Sequence, residues 1–234
     1  VGHSDIGGRG DGLQLMVHRG HAYIAHPWSQ GFSIVDVRDP RNPKTVNYIQ
    51  APANTWNIHL QTHEDLLLVI DALDLFADVE TFSDEKAYTR SVGETVAAKK
   101  RERAWTAGMT VYDISRPDAP KKIGQLNIEG VGLHRLWYVG GRYAYASALL
   151  DGFSDYIFVT IDMADPTRPE LVGRWWLPGM NSAAGEQPDW GQGRRYALHH
   201  ALVHGNTAYA CWRDGGLTLL DITDHAAPKL IKHH

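Results

Sequence analysis

Cysteine is almost missing from this chain. Cys211 is the one thiol in 234 residues, which excludes an internal disulfide framework. No apolar run approaches the roughly 18 residues of a membrane-crossing helix, so no membrane partner is expected. Basic clusters are absent too. Lys99, Lys100 and Arg101 stand beside Glu94 and Glu102 in a chain of net charge −4, which argues against nucleic acid as a partner. There is no Gly-x-Ser-x-Gly elbow. Gly7, Gly8 and Gly10 surround Arg9, but no helical pattern follows, so a phosphate loop is rejected. The chain opens at Val1 with no leader pattern, which leaves the compartment open between bacterial cytoplasm and periplasm.

Hydrophobic residues make up 43% of the chain and charged ones 21%, enough for a folded core. Histidine is abundant at 13, and 8 tryptophans accompany 10 tyrosines. Four segments align without gaps: 33–43, 110–120, 159–169 and 219–228. In each, an aspartate (Asp36, Asp113, Asp162, Asp221) stands seven residues before a proline (Pro43, Pro120, Pro169, Pro228). The β-branched run before each aspartate predicts a buried strand. The Asp and Pro residues predict a turn, because proline fixes φ and cannot donate to a ladder. Strict placement beside that turn makes these aspartates turn formers that bind backbone amides rather than catalytic acids.

Each unit then holds four short antiparallel strands, A to D, the signature of an all-β propeller blade of roughly 40 residues. The blades fall at about 12–52, 55–129, 131–178 and 195–232. Four blades are few for a closed ring, so this is expected to be part of a larger propeller. Further blades would come from another segment or chain, or from a homo-oligomer. Three insertions interrupt the repeats: a partly helical one at about 71–108, then 149–155 and 179–194. All three fall on B–C or D–A connections, so they are expected to form a lid over one shared mouth.

The repeated segments resemble those of the LVIVD-repeat proteins, a group of β-propellers. The resemblance covers all four units, departs at His225 where the first proline is expected, and implies a fold but no chemistry.

The candidate site lies at the start of the A strands. His59, His134 and His199 take matching places in three repeats and Gln14 takes that place in the first. Imidazoles from separate blades meeting at an axis suit a divalent metal, whether zinc, iron or manganese. His200 and Arg135 follow the axial position and should turn away from it; a register error of one would make His200 the ligand instead. His26 and Asp71, at the ends of B strands, are candidate general acid–base groups. Trp28, Trp56, Trp190 and Trp212 could line a substrate pocket.

The expected function is a metal-dependent hydrolase or lyase acting on a small organic substrate. An iron-dependent oxygenase is the alternative, by analogy with propeller oxygenases that hold iron through axial histidines. The rival is a non-catalytic binding module, in which the polar axis holds only water.

Overall fold

The computed structural model describes residues 2–74, 104–191 and 193–234. Four antiparallel units follow one another along the chain. The first holds β1 (Gln14–His18), β2 (His21–His26), β3 (Gly31–Asp36) and β4 (Lys44–Gln50). The second splits its A strand into β5 (Thr55–Trp56) and β6 (Leu60–His63), followed by β7 (Leu66–Leu73), β8 (Gly108–Asp113) and β9 (Lys121–Asn127). The third is β10 (Gly130–Trp137), β11 (Tyr143–Leu150), β12 (Ile157–Asp162) and β13 (Glu170–Trp175). The fourth is β14 (Tyr196–His204), β15 (Thr207–Arg213), β16 (Leu217–Asp221) and β17 (Lys229–His233). Strand order within each is sequential, as in a propeller blade, and a bridge between Gly132 and Ala72 links the second and third.

The turn aspartates behave as their spacing predicts. Each accepts a hydrogen bond from the backbone N–H two residues on: Asp36 from Arg38 (3.0 Å), Asp113 from Ser115, Asp162 from Ala164 and Asp221 from Thr223 (2.8 Å each). This caps strand C and frees the proline to close the turn. Between blades, buried aliphatic and aromatic side chains such as Phe32, Ile34, Leu67, Leu68, Ile70, Phe158 and Ile161 form the core. Each stabilises the fold by roughly 1.5–3 kcal/mol through burial.

A second repeated device spaces the blades. The fourth residue of strand D is Asn47, Gly124 or Gly173, and it meets the Asp–Pro turn of the next blade. Asn47 Nδ2 donates to Asp118 O at 2.9 Å. A Cβ at Gly124 would lie 2.2 Å from Pro166 O, and one at Gly173 would lie 2.0 Å from His225 O. Those two approaches are open only to glycine. In the last blade the same position is Lys232, which is exposed.

The end blades leave apolar side chains uncovered: Leu13, Leu15 and Val17 beside and along β1, then Leu202, Tyr209, Leu230 and Ile231 on the fourth blade. Insertions 149–155 and 179–194 pack on one another. Ser154 N donates to Met180 O at 2.9 Å, Ser182 Oγ donates to Gly152 O at 2.9 Å, and Ser182–Ala184 forms one 3-10 turn. Of the expected helical insertion at 71–108, the ends belong to β7 and β8, and residues 75–103 lie outside the described residues. Among the described residues no helix is long and apolar enough to cross a membrane.

Candidate functional site

Strands B and C are locked together by one side-chain pair per blade. The two acid–base candidates are part of that lock. In the first blade His26 Nε2 bonds Ser33 Oγ at 2.8 Å, and its Nδ1 bonds Asp11 Oδ1 at 2.9 Å. In the second, Thr110 Oγ1 donates to Asp71 Oδ2 at 2.6 Å, with Asn57 Nδ2 (2.8 Å) and Gln125 Nε2 (3.1 Å) on the same carboxylate. In the fourth, Trp212 Nε1 donates to Thr218 Oγ1 at 2.8 Å. The third blade replaces both partners with apolar ones, Ala148 and Val159, and both are buried. His26 and Trp212 are 0% exposed and Asp71 is 1%.

These three residues therefore face the interior of the sheets rather than a rim. The arrangement of Asp11, His26 and Ser33 has the bond order of a nucleophilic triad, but Ser33 is sealed from any substrate. Burial lowers the proton affinity of His26, against the pull of Asp11. Burial also raises the pKa of Asp71, while its hydrogen bonds from Thr110, Gln125 and Asn57 oppose that rise. Both effects belong to packed structural groups.

The axial position is set by register, and register shifts which residues occupy it. Gln14 pairs with Ala25, His59 O accepts from Ile70 N, Arg135 pairs with Ser147, and His200 pairs with Cys211. All four B-strand partners lie opposite the residue four before the turn aspartate: Phe32, Met109, Phe158 and Leu217. The equivalent set is thus Gln14, His59, Arg135 and His200. His134 sits in a bulge of β10 between Leu133 and Arg135, and His199 in a longer one of β14 between Tyr196 and His200. The alternative register, with His200 in place of His199, holds for the last blade.

Two members of the equivalent set latch neighbouring blades. Gln14 Oε1 accepts from Leu60 N at 2.8 Å, and His59 Nδ1 accepts from Leu136 N at 3.3 Å. In both, the side chain takes the N–H of the residue after its counterpart in the next blade. His59 therefore carries its proton on Nε2. The third-blade counterpart, Arg135, has no acceptor with which to repeat the latch. There Ser147 takes over, accepting from Arg135 N (2.9 Å) and donating to His199 O (3.3 Å).

The expected metal set is split by this arrangement. His134 and His199 lie together, with ring centroids 5.2 Å apart, while His59 faces His200 at 5.5 Å. Among the described residues no group of three or more His, Cys, Asp or Glu side chains is placed to hold a metal ion. The cluster is nonetheless distinctive. Both ring nitrogens of His134, Nε2 of His200 and Nε1 of Trp137 are buried without a hydrogen-bond partner among the described residues. Burial drives His59 down to about 3 and His199 to about 4, and it lowers His134 and His200. After burial, the positive charge of Arg135 pushes down all four, with Arg213 adding to His134 and His199. At neutral pH this is a group of neutral imidazoles in a positive field.

The tryptophans separate by place. Trp56 is buried and stacks on His134 at 6.4 Å. Trp190, in the 179–194 insertion, stacks on Tyr196 at the start of β14 at 4.4 Å. Trp28 is 64% exposed, and its backbone N–H donates to Asp11 Oδ2. Trp212 belongs to the interior of the last blade, edge-on to Trp175 at 5.4 Å. Sequence reasoning passed over Tyr156, whose ring lies 5.3 Å from that of His134. It also turned Arg135 away from the site. Arg195 Nε donates to Asp155 Oδ2 at 2.8 Å, tying the 149–155 insertion to the start of β14.

Four successive antiparallel four-stranded units with one packing register define a propeller-type repeat protein. The family model of the LVIVD repeat matches residues 9–49 and 201–233, within the first and last blades. No curated protein matches the sequence. Among solved structures the chain resembles a protein from Lactobacillus plantarum (14% identity, 95% of this chain, 57% of that one, TM-score 0.63). It also resembles a candidate 6-phosphogluconolactonase from Bacteroides uniformis (9%, 93% and 52%, TM-score 0.60) and a hypothetical selenium-binding protein from Sulfolobus tokodaii (10%, 94% and 53%, TM-score 0.57). The chain spans about half the length of each. At these identities the likeness is one of fold.

Proposed function

We propose that this protein holds and transforms a small organic molecule at the axial mouth lined by His134, His199, His200 and Arg135. One observation carries the reading: His134 buries both ring nitrogens with no hydrogen-bond partner among the described residues. Buried polar atoms left unpaired cost about 1–3 kcal/mol, and a bound molecule would supply what they lack. Imidazoles kept neutral offer a ring lone pair to an O–H or N–H of the bound molecule, and hydrolysis or elimination is the chemistry proposed for it. A thermal-shift screen of small organic compounds on wild type, His134→Ala and His199→Ala tests this. The expected result is stabilisation of wild type that both variants lose. Compounds that stabilise all three alike would show that the mouth is not the site, leaving an interaction platform.

A second reading places zinc, iron or manganese on His134 and His199, for metal-dependent hydrolase, lyase or iron-dependent oxygenase chemistry. What favours it is the 5.2 Å between the ring centroids, a separation two imidazoles can adopt when bound to one ion at about 2 Å. The charge of Arg135 opposes it. Elemental analysis of protein purified without chelator or tag separates the readings: stoichiometric metal that falls in His134→Ala supports the ion. Under either reading, the exposed apolar faces of the first and fourth blades are the seats of further blades.

A further inference from the structure

From the electrostatics and the broken latch together, we infer that the molecule bound at the mouth is a small organic carboxylate, and that Arg135 is its receptor. The inference rests on the axial-mouth reading above and names its ligand class.

Three observations converge on Arg135. First, it is the one departure from the inter-blade latch. At the matching register Gln14 and His59 accept a backbone N–H from the next blade, whereas a guanidinium has only donors. Ser147 carries the local hydrogen bonds in its place, so the side chain is spared that structural duty. Second, the guanidinium is partly buried, and no hydrogen bond or ion pair joins it to any acceptor among the described residues. Other arginines near the mouth are served differently: Arg195 is paired with Asp155 in a two-pronged bridge, at 2.8 and 3.2 Å. A half-buried cation without a counter-charge is costly. Third, among the described residues no carboxylate acts on the four imidazoles, and the charged groups that do are Arg135, Arg213, Arg195 and other histidines. The field of the described residues there is positive.

An anion satisfies all three. A planar carboxylate matches the parallel N–H groups of a guanidinium and gains charge-assisted bonds there. Neutral imidazole N–H groups can donate to the same oxygens. Trp56 and Tyr156, packed within 6.4 and 5.3 Å of the His134 ring, make the surroundings of that imidazole aromatic. Inorganic phosphate fits less well, because among the described residues no glycine-rich loop or helix N-terminus presents backbone amides to this cluster.

The test titrates wild type with benzoate, benzamide and inorganic phosphate, following tryptophan fluorescence and heat of binding. Benzoate should bind saturably and at least about tenfold more tightly than benzamide or phosphate. Arg135→Gln should weaken benzoate by about 10- to 100-fold and leave benzamide unchanged. Arg135→Lys should fall between, keeping the charge but not the fork. Unaltered circular dichroism and melting temperature show that the variants fold. Benzamide binding as tightly as benzoate, with no loss in Arg135→Gln, overturns the carboxylate while the axial mouth stands. Phosphate binding more tightly than benzoate overturns it too. No saturable response to benzoate overturns it as well, and the separate compound screen then decides whether the mouth binds anything.

Discussion

Two threonines on neighbouring C strands should answer the same substitution with opposite signs. Thr218 Oγ1 takes the indole N–H of Trp212 at 2.8 Å, and both residues are 0% exposed. Thr218→Val keeps the volume and strands that N–H in an apolar interior, at a cost of about 1–3 kcal/mol. Thr160 is equally buried, but its hydroxyl has no partner. Thr160→Val removes an unsatisfied group and should be neutral or stabilising by up to about 1 kcal/mol. In a chain of this size the first change lowers the melting temperature by roughly 2–12 °C, while the second leaves it level or raises it. Urea denaturation gives the same comparison at constant temperature, with unchanged slope. Trp212→Phe completes a double-mutant cycle. It deletes the donor, so the pair should couple by on the order of 1 kcal/mol and the double variant should recover part of the loss, as the apolar third-blade pair implies. Equal losses for Thr218→Val and Thr160→Val, or an additive cycle, would refute the reasoning.

Acid should weaken the fold well above the ordinary carboxylate range. His59 titrates near 3 when folded and near 6.5 when unfolded, so the unfolded chain binds more protons between those values. Stability from this group is complete above pH 6.5 and drains as pH falls toward 3, by on the order of 4 kcal/mol in all and about 2 kcal/mol by pH 5. His134, His199 and His200 act in the same sense, while Asp71, whose pKa is raised, acts in the other. Urea midpoints measured from pH 8 to 5 should therefore fall, and a flat profile contradicts the buried neutral cluster. Blade spacing gives another contrast. Gly173→Ala puts a Cβ 2.0 Å from His225 O and should cost about 1–3 kcal/mol or more. Asn47→Ala, at the same strand position, brings no clash and loses two hydrogen bonds, one to Asp118 O and one from Tyr48 N, so it should cost about 1–2 kcal/mol by thermal melts.

The all-β, propeller-type fold was legible because the signal is local chemistry. An aspartate that binds the amide two residues on, followed by a proline, ends a strand in any context, and four copies mark four blades. The in-sheet lock was also within reach. A serine or threonine precedes the turn aspartate by three residues at Ser33, Thr110 and Thr218, and Val159 takes that place in the third repeat. Read together with the last residue of strand B, that pattern identifies His26, Asp71 and Trp212 as half of a buried pair. Read alone, a histidine and an aspartate at strand ends look like rim groups.

The axial set was not legible in the same way, for a geometric reason. Counting along a strand tells which side chains share a face only while the ladder is unbroken. The bulges before Arg135 and before His200 insert residues that leave the apolar pattern intact, so His134 and His199 keep their likeness to Gln14 and His59 in sequence and lose it in space. The consequence reaches chemistry. Register gives Gln14 and His59 a latch to the next blade, and it brings a guanidinium to the place where a third neutral ligand was expected. A repeat protein holds itself together by doing the same thing at each equivalent position. The position where the side chain cannot do it, Arg135, is therefore the one whose presence the fold alone does not explain.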